Sequence, residues 1–188
     1  MCRLPHAVPP AQTRGMTHRT HEFDDIRAEF DATVGRTVYA TMVSVDSQNR
    51  PRTRALIPVW EVLDGAPLGW LATYRTPVKA AHLANNPHAS FCYWAPRGSD
   101  FAAADVVAGW VDDEQDRRHV WDLYARTSPQ GAGYDLGAFW TSPTDPRLHV
   151  LRLDPYRVQV IRGLDLRNRI WTPSDVPAVV PRAAVAMA

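Results

Sequence analysis

Arg54, Thr73 and Lys79 are the residues of this chain whose types and spacing point most directly to chemistry. An arginine fork, a hydroxyl and an ammonium together match a phosphate dianion in charge and in number of donors. Lys79 stands out by its place: Thr76-Pro77 pairs an N-cap residue type with a proline suited to the first helical position, so a helix is predicted to start there. The lysine then falls in the first turn, where the positive end of the helix dipole disfavours a cation by roughly a few tenths of a kcal/mol. An anion held by the free N–H groups of that turn removes the conflict. Each charge-assisted bond contributes roughly 1.5–3 kcal/mol, so three can anchor a phosphorylated ligand after the cost of association. On spacing alone, a solvated charged face explains the same residues, and both readings stay open here.

The elements that must position these residues follow from the surrounding pattern. Positions 38–45 alternate and are β-branched, the polar turn Asp46-Ser47-Gln48-Asn49 follows, and 53–60 resumes a strand. Asp64-Gly65 marks the next reversal before a third strand at 68–73, which runs into the Thr76-Pro77 helix start. Consecutive antiparallel strands are usually neighbours, which lets Arg54, Thr73 and Lys79 converge. Period two puts Arg50, Arg52 and Arg54 on one face of their strand and Thr53, Ala55, Ile57 and Val59 on the other. Asn85-Asn86-Pro87 ends the helix, because the residue before proline is pushed out of the helical region.

Before this unit, Phe23, Ile26, Phe30 and Val34 form the apolar stripe of a helix over 21–34. After it, strands are predicted over 89–95 and 102–111, then a helix opened by Asp112, Asp113 and Glu114 with Val120, Leu123 and Tyr124 on its apolar face. A Gly/Pro-rich excursion over 128–146 carries Tyr134, Phe139 and Trp140 and is expected to cover something. Strands over 148–153 and 158–161, and a short one over 167–171, complete the chain. About seven strands with few helices between them predict a mainly β protein, a small antiparallel barrel. Trp70, Trp94 and Trp121 are expected in its core.

Composition removes several function classes. The 188 residues, 45% apolar, suit one domain, and 21 basic against 20 acidic side chains leave +1, with no basic run for nucleic acid. No apolar run approaches the roughly 20 residues of a membrane span, and no secretory h-region opens the sequence. Cys2 and Cys92 have neither a disulfide framework nor C-x-x-C spacing, so the chain reads as cytoplasmic. Seven histidines lie scattered without H-E-x-x-H spacing, and no metal is predicted. Gly131-Ala132-Gly133 lacks the flanking pattern of a dinucleotide site, and no G-x-S-x-G elbow occurs. Residues 1–20 lack periodicity and are expected to be disordered, 21–172 to form the domain, and 173–188 to be a loose tail.

The segment 72–94 resembles the pyridoxamine 5'-phosphate oxidase family and its FMN-binding split-barrel relatives. The resemblance rests on a strand ending in Thr73, a helix start at Pro77-Val78-Lys79, the Asn86-Pro87 turn and an aromatic strand from Phe91 to Trp94. Upstream, Arg54-Ala55-Leu56-Ile57-Pro58-Val59 keeps the family's arginine and lacks its lysine; downstream, Asp105-Val106-Val107-Ala108-Gly109 matches a strand ending in glycine. With weaker stretches it spans about 34–171.

It implies a six- to seven-stranded antiparallel split β-barrel, dimeric, with flavin at the subunit interface. Arg54, Thr73 and Lys79 would hold the FMN phosphate, with the backbone of Ala55, Leu56, Ile57 and Ala72 beside the flavin. Val78 stands where the family has a phosphate-binding arginine. At the C-terminal end Ile161, Gly163 and Arg167 fall where the vitamin enzyme has a Trp, a Gly and the Arg of Arg-Leu-His. Only Gly163 and Arg167 match, which makes Arg167 a weak substrate-binding candidate and speaks against the vitamin as substrate. The implied activity is that of an FMN-dependent oxidoreductase of unassigned substrate, with no side chain assigned as acid or base. A deazaflavin coenzyme on the same fold is the alternative. A flavin or haem carrier without turnover is the other, with His82, His88 or His149 as axial ligand.

Overall fold

The structure, a computed structural model, describes residues 17–95, 97–127 and 134–174. Its strands are β1 (Thr17–Thr20), β2 (Ala40–Val45), β3 (Pro51–Leu56), β4 (Val59–Leu63), β5 (Ala66–Thr73), β6 (His88–Trp94), β7 (Phe101–Val111), β8 (His149–Arg162) and β9 (Arg167–Trp171). The helices are α1 (Asp24–Thr37), α2 (Pro77–Asn85) and α3 (Glu114–Thr127). The strands form one sheet in the order β1-β9-β8-β7-β6-β2-β3, with β5 joining β8 to β4. The protein is mainly β with the split-barrel arrangement expected of it. All pairings are antiparallel except β1 with β9, which is parallel.

Local chemistry explains most of these elements. The β4–β5 hairpin turns on Asp64 and Gly65, both at positive φ, 51° and 79°, as a two-residue turn that matches strand twist requires. The β2–β3 turn is closed by Asp46, whose carboxylate accepts the Gln48 and Arg50 amides at 2.9 and 3.0 Å. Asp113 caps α3 by accepting the Gln115 and Asp116 N–H groups at 2.7 and 3.1 Å.

The structure corrects the expected elements in four places. The strand read over 53–60 breaks at Ile57-Pro58, so β3 pairs with β2 while β4 turns away to pair with β5; proline has no N–H for the ladder. The segments 148–153 and 158–161 are one strand, β8, which crosses Pro155 at a register shift against β7 between Asp105 and Val106. Within the stretch expected to be disordered, Thr17–Thr20 form β1 on the free edge of β9, and residues 1–16 lie outside the described residues, as do 175–188. Trp94, at the outward phase of β6, is 64% exposed and not core.

Two apolar layers hold the sheet. Inside the barrel Met42, Leu71, Phe91, Val106, Leu151 and Val158 are fully buried, and α1 closes one end with Ile26 and Phe30. Outside it, Val59, Trp70, Ala72 and Val150 pack against Val120, Leu123 and Tyr124 of α3 and against Leu136 and Trp140. β5 is therefore buried on both faces along nearly its whole length, which fixes Thr73 at its end and the start of α2 behind it. Gly163 is required by a close approach: a Cβ there would lie 1.8 Å from the Gly98 carbonyl oxygen.

Candidate functional site

The corner between β5, α2 and β3 puts Thr73 and Lys79 in contact and sets Arg54 close enough for its charge to act on the lysine. Thr76 caps α2, its hydroxyl accepting the Lys79 N–H at 3.4 Å, and Pro77 occupies the first helical position. Lys79 is 5% exposed. Its Nζ donates to Thr73 Oγ1 and, at 3.0 Å, to the Tyr74 carbonyl. No carboxylate pairs with it among the described residues. Burial and the neighbouring Arg54 cation push its pKa down to about 8. An ammonium carries three N–H groups, so one remains for a ligand.

Arg54 is held from the other side. Its Nη2 donates to Ser44 Oγ at 3.0 Å and lies 3.3 Å from His82 Nδ1, which is 3.2 Å from the same hydroxyl. Arginine only donates, so His82 presents that nitrogen as an acceptor. Ser44 and His82 are both buried, and they fix the arginine without neutralising it. Neither residue is expected at this corner from the sequence: Ser44 carries no motif, and His82 is a candidate only as one of three possible haem ligands. The i, i+3 spacing of Lys79 and His82 on α2 was the available signal.

Arg54 opens on a cleft of about 470 Å³ lined also by Asp46, Arg50, Arg52, Val78 and His82. Asp46 takes both Arg50, at 2.8 Å, and Arg52, at 3.2 Å, and leaves Arg54 unpaired with any carboxylate among the described residues. The shared face predicted for the three arginines thus lines one wall. Val78, where the family pattern has an arginine, is 62% exposed at the same rim.

The remaining predicted residues are placed as follows. Ala55 is exposed on β3, Leu56 is half-buried and Ile57 is buried. Ala72 is buried, and its N–H donates to the Tyr124 hydroxyl at 3.2 Å while that hydroxyl donates to the Ile57 carbonyl. One phenol of α3 therefore ties together the two backbone stretches that the resemblance sets beside a flavin. Arg167 is exposed on β9, separated from β3 in the sheet by β8, β7, β6 and β2, and does not reach this corner within one chain. The histidines proposed for haem do not share a site: His82 binds Ser44 and Arg54, His88 binds Asn86 Oδ1 at 3.0 Å, and His149 packs on Trp110. No group of three His, Cys, Asp or Glu with metal-binding geometry occurs among the described residues. Gly131 and Gly133 lie outside them.

A half-open barrel whose strand end feeds a capped helix, with a buried, unneutralised lysine at the junction, is a split-barrel arrangement. The sequence matches the family model described as pyridoxamine 5'-phosphate oxidase over residues 26–162, and the chain belongs to that family. Solved structures share the fold. A protein related to general stress protein 26, from Clostridium acetobutylicum, is 13% identical with a TM-score of 0.62 over 79% of this chain and 95% of that one. A conserved hypothetical protein from Mycobacterium tuberculosis is 19% identical, TM-score 0.55, over 74% and 86%. A pyridoxamine 5'-phosphate oxidase-related, FMN-binding protein from Nostoc punctiforme is 21% identical, TM-score 0.51, over 78% and 84%. No curated protein matches the sequence.

Proposed function

We propose that this protein is an FMN-dependent oxidoreductase in which Arg54, Thr73 and Lys79 hold the cofactor phosphate. The observation that carries the reading is the burial of Lys79 with no carboxylate beside it. A buried cation is expensive unless something compensates it, and here the helix dipole and Arg54 both add to the cost. A phosphate at this point supplies the missing charge and can accept the Val78 N–H, the first-turn amide that neither Pro77 nor the Thr76 cap removes. FMN, when bound, supplies the hydride chemistry. The chain's own residues bind and orient it: Ser44 and His82 aim Arg54, Thr73 aims the Lys79 ammonium, and Tyr124 sets the spacing of the Ile57 and Ala72 backbones.

The protein works as a cytoplasmic homodimer in this reading, with the cofactor between subunits. Arg167, remote from the corner of its own chain, is available to the partner's site. The altered C-terminal residues, with Ile161 in place of the vitamin enzyme's tryptophan, set the substrate apart from pyridoxamine 5'-phosphate. Titration of the purified protein with FMN, followed by flavin fluorescence, tests the cofactor. Lys79→Ala should weaken FMN binding by more than about 1 kcal/mol; unchanged affinity would remove the assignment. A deazaflavin coenzyme is the second reading. What favours it is Val78, which leaves the corner one donor short and better matched to a singly charged phosphodiester than to a dianion. The same titration with a deazaflavin decides between them.

A further inference from the structure

Beside the phosphate corner, five aromatic rings run on without a break. Tyr124 packs on Tyr134 with ring centres 5.6 Å apart, Tyr134 on Phe139 at 5.4 Å, Phe139 on Trp140 at 5.7 Å, and Trp140 on Tyr74 at 5.0 Å. Their planes are tilted by 33–50°. Trp140 and Tyr124 are core, whereas Tyr74 and Phe139 are each 43% exposed. Tyr39 is 56% exposed and follows Val38, a β-branched residue at φ 64° that turns the chain out of α1. The Tyr39 and Tyr74 phenols are close enough to Tyr134 to push its phenol further up than burial alone does. Exposed aromatic groups in contact mark interaction sites more often than single ones.

Three observations say what sits there. The patch is continuous with the cofactor corner, because Lys79 Nζ binds the Tyr74 carbonyl at 3.0 Å and Tyr124 ties Ile57 to Ala72. Its polar groups are neutral and mostly unpaired: the Tyr39 and Tyr134 hydroxyls have no protein partner among the described residues, the Trp140 indole N–H is buried without one, and the Tyr74 hydroxyl donates to the Phe139 carbonyl at 3.2 Å. Lys79 apart, the cations beside it have carboxylate partners, Arg147 on Asp145 at 2.8 Å and Arg75 on Asp112 at 3.9 Å.

We propose that Tyr39, Tyr74, Tyr134 and Phe139 form the substrate platform, and that the substrate is a planar, uncharged aromatic compound carrying a hydrogen-bond acceptor. This rests on the reading of the Arg54–Lys79 corner as the cofactor's phosphate site, since a molecule stacked here lies against the stretch the flavin ring would follow. Aromatic faces supply the contact area, the Tyr39 and Tyr134 phenols select an acceptor on the ring edge, and the paired arginines attract an anion less than free ones would.

The test uses the FMN-loaded protein and two probes, neutral 2-methyl-1,4-naphthoquinone and its anionic sulfonate, titrated by quenching of protein fluorescence. The neutral probe should bind at least fivefold more tightly than the sulfonate. Tyr39→Ala and Phe139→Ala should each weaken it at least fivefold while FMN affinity stays within twofold. Unchanged probe binding in both variants, or equal binding of the two probes, overturns the proposal. So does conversion of Tyr39→Ala to monomer in sedimentation, which would make the patch a contact between copies. FMN is titrated separately. If it fails to bind, the cofactor reading falls, and the probes, run without it, still judge the platform by the same criteria.

Discussion

Lys79 and Asp145 are buried alike, with 5% and 4% of their surfaces exposed, yet their surroundings treat the charge in opposite ways. Asp145 closes its own loop. It accepts the Thr141 amide and hydroxyl at 3.0 and 3.1 Å and takes Arg147 at 2.8 Å, and these bonds hold its carboxyl well below the usual carboxylate range. Lys79 donates to a hydroxyl and a carbonyl but meets no anion, and a second cation, Arg54, acts on it through its charge. A buried charge completed by its own chain is structural. One left open, with neighbouring donors fixed around it, is what the proposed phosphate would complete.

The sharpest way to break this contrast is to remove each charge in turn. Lys79→Met should weaken FMN binding about 30-fold, near 2 kcal/mol for a lost charge-assisted bond, and should leave the melting temperature of the free protein equal or higher, since an uncompensated cation has gone. Asp145→Asn should do the reverse: a lower melting temperature from the loosened 141–147 loop, with FMN affinity unchanged. Equal loss of FMN affinity in both variants would end the distinction.

The pH dependence comes next in size. The folded-state pKa of Lys79, about 8, lies below its ordinary value of 10.5. A lysine shifted this way costs the folded chain stability while it is charged. That cost is present in full below pH 8 and fades as pH rises from 8 to 10.5. The free protein should therefore gain stability across this window, whereas FMN affinity, which needs the charge, should fall about tenfold between pH 7 and pH 9.5. Thermal melts and titrations on the wild type and Lys79→Met check both trends, and the variant should show neither. The smallest effect should come from Val78→Arg. Position 78 is exposed at the rim of the cleft, so the fold accepts the change, and a restored donor should tighten FMN about fivefold, close to 1 kcal/mol.

Where the signal was local, it was legible. Asp64-Gly65, Thr76-Pro77 and Asn86-Pro87 each specify their own turn or helix end through backbone chemistry, and the structure has them where expected. Where it depended on a distant partner, it was not. Pro58 marked a break only once β3 and β4 were seen to pair with different strands. Thr17–Thr20 are polar and become a strand because β9 offers an edge. Trp94 is outside because the phase of β6, set by its partners β2 and β7, puts it there.

The sequence by itself determined the chemistry of the corner: an arginine, a hydroxyl and a lysine near a capped helix start, since residue types and short-range spacing are properties of the chain. The tertiary structure decided that the lysine is buried with no acid beside it, that Ser44 and His82 hold the arginine, and that Arg167 lies across the sheet. Burial and the absence of a counter-charge depend on which distant segments meet. Those are settled by the packing of both faces of β5, to which residues far apart in the chain contribute.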